Sequence, residues 1–196
     1  MKSKLYTFLT CMVLLLALFQ SPFLYYYTSG FLGIVIIACY LIFGFILSLT
    51  LLILLVNSRK KYTIQICFVI LSFVLGLISL LLGDTIMEQI DWKLRLNSRN
   101  EIVDLVKNGT IVPNYSNTYI ATLDNWKFPP ISNGGNDITI NKINDSILTV
   151  EFFIERGFLD HYSVYVYTND PNQIKIIHNN SLYYKKITEN WYRVSY

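Results

Sequence analysis

The segment with the greatest chemical potential lies between two strand-like runs, where Arg156, Asp160 and His161 fall within six residues. A carboxylate beside an imidazole is a pairing that general acid–base catalysis uses. Adjacent residues of an extended chain point to opposite faces, so Asp160 and His161 converge only if the chain turns there. Gly157 favours a turn, because glycine adopts backbone conformations that bulkier residues resist. Arg156 can pair with Asp160 across it, as it would also do in a merely stabilised hairpin corner.

We interpret this turn as a binding site rather than a catalytic one. Loops held by rigid strands often carry binding residues, and no Gly-x-Ser-x-Gly sequence accompanies the pair. The glycine-rich residues 133–137 lack the lysine and the following helix of a phosphate-binding loop. The alternative is an enzyme that acts at a membrane surface through Asp160, His161 and Arg156.

The sequence predicts no metal or cofactor site. A zinc site needs several converging His, Cys or carboxylate ligands, and neither His-x-x-x-His nor Cys-x-x-Cys spacing occurs. Cys11, Cys39 and Cys67 all lie in apolar runs, so we interpret them as small packing residues.

Tyrosines of the next run extend the predicted binding site. Tyr165 and Tyr167 alternate with valines, which predicts a strand with one core face and one exposed aromatic face. With Tyr183 and Tyr192 they would form a row suited to carbohydrate stacking or protein binding. Tyrosine is also common on sheet surfaces, where cross-strand aromatic pairs stabilise strand pairing. The predicted site consists of Arg156, Asp160, His161, Tyr165 and Tyr167.

The elements that position these residues follow from an uneven distribution of charge. All thirteen acidic residues lie at or after Asp84, whereas residues 1–83 contain five cations and no acid. Long apolar runs fill this first region, and a bilayer crossing needs about 20 such residues. Three transmembrane helices are predicted, at about 5–20, 31–56 and 63–83.

The early cations also predict the orientation. Lys2 and Lys4 precede the first apolar run, residues 59–61 lie between the second and third, and none lies between the first and second. Cytoplasmic loops are enriched in Lys and Arg, so we expect a cytoplasmic N-terminus and an extracytoplasmic C-terminal domain at the cell membrane. The first run also has features of a signal peptide. Bulky Phe19 disfavours cleavage, but removal of residues 1–20 stays open and would not change the orientation.

The remaining sequence divides into an amphipathic helical connector at 84–113 and a β-rich domain at 114–196. Within the connector, Ser98 and Glu101 have the spacing of a capping box, which predicts a second short helix. Gly109 is the expected stop of that helix.

Short β-branched and aromatic runs, separated by Asn, Asp, Gly and Pro, predict the strands of the domain. These runs are at 118–123, 137–143, 147–154, 162–168, 174–178, 182–187 and 191–196. Their short polar connectors predict hairpins. The predicted fold class is a membrane protein with three N-terminal transmembrane α-helices and an α+β domain that is mainly an antiparallel β-meander.

One segment carries a resemblance to other proteins. Residues 152–160, Phe-Phe-Ile-Glu-Arg-Gly-Phe-Leu-Asp, are followed at 165–168 by Tyr-Val-Tyr-Thr. This segment resembles one in uncharacterised bacterial membrane proteins with N-terminal transmembrane helices and a C-terminal extracytoplasmic β-rich domain. The resemblance covers mainly residues 99–170. It implies that architecture but no activity, since that group has no established function.

The missing catalytic pattern and the split charge predict a non-enzymatic, membrane-anchored protein that displays an extracytoplasmic binding domain. Its expected partners are the lipid bilayer and an envelope component or another membrane protein. Eleven cations against thirteen acids after residue 83 disfavour nucleic acid. The apolar runs contain no acid or histidine, which disfavours an ion path. An immunity protein against a secreted toxin is a further alternative, and the oligomeric state stays open.

Overall fold

The computed structural model of the protein describes most of the chain. The described residues are 2–28, 30–58, 62–114, 119–123, 129–133, 135–144, 147–156 and 161–196. They divide into two compact units. Unit 1 comprises Met1–Tyr25 and Gly33–Met87, and unit 2 comprises Tyr26–Leu32 and Glu88–Tyr196.

Three long helices come first in the chain: α1 (Lys2–Tyr27), α2 (Gly30–Asn57) and α3 (Thr63–Lys107). Each is long and apolar enough to cross a membrane. The prediction of three apolar helices is therefore confirmed, and each helix extends beyond its predicted apolar segment. In particular, α1 continues through Pro22 to include the aromatic residues at its end.

Within unit 1, small and polar residues bring α1 close to α3. The side-chain amide of Gln20 donates to the carbonyl of Gly76 at 3.1 Å, and the hydroxyls of Ser21 and Ser79 lie 2.6 Å apart. A Cβ added at Gly83 would lie 2.7 Å from the Ser21 hydroxyl. Close helix approach through small residues is a usual mode of packing in membranes.

The connector continues the third apolar helix without a break, so the prediction that a second short helix starts at Ser98 is wrong. Ser98 and Glu101 lie inside α3, which runs for 45 residues without a break. The Arg99 side chain pairs with Asp91, eight residues earlier on the same side of the helix. No Gly or Pro interrupts the part after residue 83, so nothing local ends the helix. The stop before Gly109 is confirmed, and this glycine has the left-handed φ of 74°.

Unit 2 contains a six-stranded antiparallel sheet with the order β1-β2-β3-β4-β6-β5. The antiparallel sheet is confirmed, but the meander order ends at β4. The chain then passes through a helix, forms β5 at the edge and returns as β6 between β5 and β4. The strands are β1 (Ile120–Thr122), β2 (Asp137–Lys142), β3 (Leu148–Arg156), β4 (Tyr162–Thr168), β5 (Tyr183–Lys186) and β6 (Trp191–Ser195).

The strand predicted at 174–178 is wrong, because Pro171–Asn180 forms a helix, α4. The Asp170 carboxylate caps this helix by accepting the backbone N–H of Asn172 at 2.9 Å. A proline follows the cap, where its missing N–H leaves no helical hydrogen bond unmade. The polar segments on both sides, predicted as hairpin turns, are the ends of this helix. Fully buried Ile177 packs its inner face on the sheet.

Both faces of the sheet centre are covered. On one face, the α3 face, Trp92 packs against Tyr165 and Trp191 with ring centroids 4.8 and 5.4 Å apart. On the other, the α4 face, Ile177 packs against Val166 and its neighbours on β4 and β6. β4 is therefore a core strand on both sides.

Candidate functional site

The predicted exposed row of tyrosines is wrong. Tyr165 is 2% exposed, and its hydroxyl donates to the backbone carbonyl of Glu88 at 2.9 Å. Tyr167 is half-buried on the same face, and Tyr192 is buried on the opposite one. Of the four tyrosines, Tyr183 is exposed. Alternation along β4 correctly gave two faces, but α3 covers the face that was expected to meet solvent.

The predicted turn is described only at its two ends. Asp160 lies outside the described residues, as do the pairings predicted for it. Arg156 ends β3, and its guanidinium lies 3.5 Å from the Asp137 carboxylate and 4.3 Å above the Phe153 ring. Its buried Nε has no hydrogen-bond partner within the described part of the chain. His161 is exposed just before β4.

Arg156 belongs to a half-buried polar and aromatic region on the α4 face. The hydrophobic cluster under α4 is formed mainly by β4 and β6, and three aromatic residues of the region, Phe153, Tyr162 and Tyr196, pack against it. Its residues are half-buried rather than enclosed. We call this region the Glu151 patch; it consists of Asp137, Glu151, Phe153, Arg156, Tyr162 and Tyr196.

Glu151 is the unusual group of the patch. It lies on β3 between Thr139 of β2 and Val166 of β4. Burial raises the pKa of its carboxyl from 4.5 to about 7. The pKa values of the Tyr162 and Tyr196 hydroxyls are raised, mainly by burial and to a smaller extent by the nearby Glu151 carboxylate. None of the ion pairs among the described residues includes Glu151. Within that part of the chain, no ion pair compensates the charge of its carboxylate.

The aromatic rings of the patch form a row beside this carboxyl group. The Tyr162 ring centroid lies 5.9 Å from that of Phe153 and 4.9 Å from that of Tyr196. Aromatic faces attract ammonium and guanidinium groups, and Arg156 already lies over Phe153 in this way. A cation near Glu151 would also favour the ionised carboxylate. The patch is therefore chemically suited to an amine or guanidinium group.

A second cluster of charges, around Asp91, has a structural role. Asp91 is 1% exposed and accepts hydrogen bonds from Arg99 and, at 2.8 Å, from the Tyr26 hydroxyl. Arg95 joins it at 3.4 Å and donates to the carbonyl of Pro130. The cluster links three separate segments of unit 2, and Asp91 and Arg99 at its centre are buried. Sequence reasoning missed it, although the spacing of Asp91, Arg95 and Arg99 along a helix was a usable signal.

Unit 1 also contains an apolar groove of about 630 Å³. Two polar side chains in its wall, Gln20 and Tyr40, already donate to the backbone carbonyls of Gly76 and Leu16. No cluster of three metal-ligating side chains occurs among the described residues. We therefore take the Glu151 patch as the candidate site.

Sequence reasoning found one charged member of this patch, Arg156, and missed Glu151. The available signal was a single acid inside the apolar run at 148–154. No protein-family model, curated protein or solved structure matches the chain. Its function is therefore inferred from its own geometry.

Proposed function

We propose that the protein is a non-enzymatic binding protein, anchored in the cell membrane by three helices, with its β-rich domain outside. The domain binds a cationic group of an envelope component or of another membrane protein at the Glu151 patch. The length and composition of the three helices support anchoring. The early Lys and Arg residues support the orientation.

The observation that carries the proposal is the desolvated carboxyl of Glu151. Raising its pKa from 4.5 to about 7 means that the folded protein disfavours the charged form by about 3 kcal/mol. A hydrophobic residue at this position would avoid that cost. Ionisable groups with strongly perturbed pKa values concentrate at functional sites, and a bound cation would recover part of the energy.

The ligand class follows from the neighbours of this carboxyl. The aromatic row favours a cation with an organic ammonium or guanidinium group over a small hydrated metal ion. Lysine and arginine side chains of a protein partner have this chemistry, as do the amines of envelope polymers. Arg156, held beside Asp137, limits the patch to ligands whose charge is concentrated near Glu151.

The test is crosslinking of partners in intact membranes, with wild type and two variants compared. Glu151→Gln keeps the shape of the side chain but removes its charge. Glu155→Gln is the matched control, because Glu155 lies on the same strand but is exposed. We expect Glu151→Gln to lose the protein or polymer partner that the wild type and Glu155→Gln retain. Capture of lipids alone by the wild type, or an identical partner in both variants, would refute the proposal.

A further inference from the structure

The two edges of the sheet differ in how their outer backbone groups are bonded. At one edge, the backbone N–H of Asn114 donates to the carbonyl of Ile120 on β1 at 3.2 Å. The side-chain amide of Asn114 donates to the carbonyl of Thr122 and accepts its N–H, both at 2.9 Å. The other edge is β5, beyond which the described residues contain no further strand. Within the described part of the chain, one edge is therefore covered and the other is open.

The hydrogen-bond pattern shows which backbone groups of β5 face outward. Successive residues of a strand direct their N–H and C=O groups alternately to its two sides. Ile187, directly after β5, donates to the carbonyl of Trp191 on β6 at 2.8 Å. By this alternation, every second residue before Ile187 also bonds to β6. The residues between them, Tyr184 and Lys186, direct their backbone groups away from the sheet, where no other described residue bonds them.

The side chains of β5 place the same two kinds of group on both faces of the strand. All four residues of the strand are exposed. The Tyr184 ring stacks on His178 of α4, with ring centroids 4.5 Å apart, so Tyr184 and Lys186 lie on the α4 face. Tyr183 and Lys185 alternate with them and lie on the α3 face. Each face of the open edge thus presents a tyrosine followed by a lysine.

The charge of this edge selects among partners. Neither Lys185 nor Lys186 forms an ion pair within the described part of the chain. Lysines on an edge strand disfavour pairing between copies of a chain, since two copies would bring four such cations together. The same lysines favour a strand that carries acids, because opposite charges directly across from each other stabilise strand pairing. Tyrosines favour β-branched or aromatic residues opposite them in the same way.

We propose that β5 is a docking site for an extended, acidic segment of another protein, which adds a strand to the sheet. The backbone of this segment bonds to the outward groups of Tyr184 and Lys186, and its side chains provide specificity. In antiparallel pairing, two adjacent acids lie opposite Lys186 and Lys185, and the next two residues, both apolar, lie opposite Tyr184 and Tyr183. The recognised sequence is therefore acid-acid-apolar-apolar. The site lies within unit 2 and is independent of both the Glu151 patch and the anchoring.

The test measures binding of short fluorescent peptides to the full chain in detergent micelles by fluorescence anisotropy. The test peptide carries Glu-Glu-Val-Tyr at its centre, flanked by serine and threonine. A control peptide of the same composition carries Glu-Val-Glu-Tyr, which places both acids on one face of the added strand. Two further versions of the test peptide carry N-methyl groups on alternate residues. One version blocks the amides that pair with Tyr184 and Lys186, and the other blocks the amides that face away from β5.

We expect the test peptide to bind more tightly than the control peptide. Methylation towards β5 should abolish binding, whereas methylation away from it should not. The double variant Lys185→Glu with Lys186→Glu should bind the test peptide about tenfold or more weakly, because two attractive pairs become repulsive. This variant should instead bind a peptide with Lys-Lys in place of Glu-Glu, which also shows that it is folded. The matched control, Lys93→Glu with Lys142→Glu, changes the net charge equally at exposed positions on α3 and β2 and should bind like the wild type.

Four results would overturn the inference. Equal binding of the test and control peptides, or equal weakening by the two double variants, would show attraction by net charge alone. Binding that tolerates both methylation patterns would exclude strand pairing. Absence of peptide binding by the wild type would remove this class of partner. Self-association of the chain that the test peptide does not displace would assign the edge to a second copy.

Discussion

Replacing Glu151 by Gln should remove a pH-dependent destabilisation of the β-rich domain. The pKa of this carboxyl is about 7 in the folded protein, against an ordinary value of 4.5. The folded state thus holds the proton more tightly than the unfolded state. The stabilisation from protonated Glu151 is complete below pH 4.5 and is lost as pH rises through 7. At pH 8 the wild type should have lost about 3 kcal/mol of unfolding free energy through this group.

Urea unfolding followed by tryptophan fluorescence provides the assay. All three tryptophans lie at or after residue 92, so their signal reports on the domain. Unfolding free energies are compared at pH 5 and pH 8 for the wild type, Glu151→Gln and the control Glu155→Gln. Because other titrating groups are common to all three proteins, they cancel in the differences. Between these pH values the wild type should lose about 2 to 3 kcal/mol relative to Glu151→Gln.

The control should follow the wild type, since Glu155 is exposed. Parallel pH profiles of the unfolding free energy for the wild type and Glu151→Gln would contradict this prediction. That outcome would mean that the carboxyl at position 151 is hydrated or has a cationic neighbour in solution. The proposed cation site would then lose its physical basis.

Four further predictions concern the site, the anchoring and the packing. Affinity for the cationic partner should fall about tenfold for each pH unit below 7, as Glu151 takes up its proton, and a titration of binding against pH checks this. Protease added to intact cells should digest a C-terminal tag; protection until the membrane is opened would invert the topology. Gly83→Ala should lower the unfolding free energy by about 1 to 3 kcal/mol, because the added methyl group meets Ser21. The control Gly44→Ala should be tolerated, because its methyl group meets nothing within 4 Å. Thermal unfolding in detergent compares the two variants. Arg99→Met should lower the unfolding free energy by about 3 to 5 kcal/mol, because it leaves Asp91 buried without its main cation. A loss below about 1 kcal/mol in urea unfolding would contradict this. Adding Asp91→Leu to Arg99→Met should restore most of the lost unfolding free energy.

Much of the fold was predictable because it depends on local patterns. Apolar length is sufficient to define the three helices. Runs of β-branched and aromatic residues between polar connectors are sufficient to place β2, β3 and β4. The helix α4 was missed for an equally local reason. Asp170 and Pro171 favour a turn as much as a helix start, and the choice between them depends on the sheet surface that Ile177 covers.

The candidate site was less predictable, since burial is a tertiary property. The pattern of β4 shows that Tyr165 and Val166 face opposite ways but not that both faces are covered. In the same way, the sequence shows Glu151 inside an apolar run without showing whether a cation reaches it. Arg156 was found because a turn next to a charged residue is visible in the sequence. Its contact with Asp137 joins two strands, β3 and β2, and is therefore not visible in the sequence.

The strand order has a consequence for biosynthesis. Because β6 lies between β4 and β5, the sheet cannot close until the chain has been synthesised as far as residue 195. Until then β4 presents an open edge that carries Val164 and Val166, and β5 has no neighbour. Open strand edges on emerging chains favour aggregation. During synthesis the domain thus passes through an interval in which a chaperone is most useful. A ribosome that stops before Trp191 releases a chain with that edge permanently open.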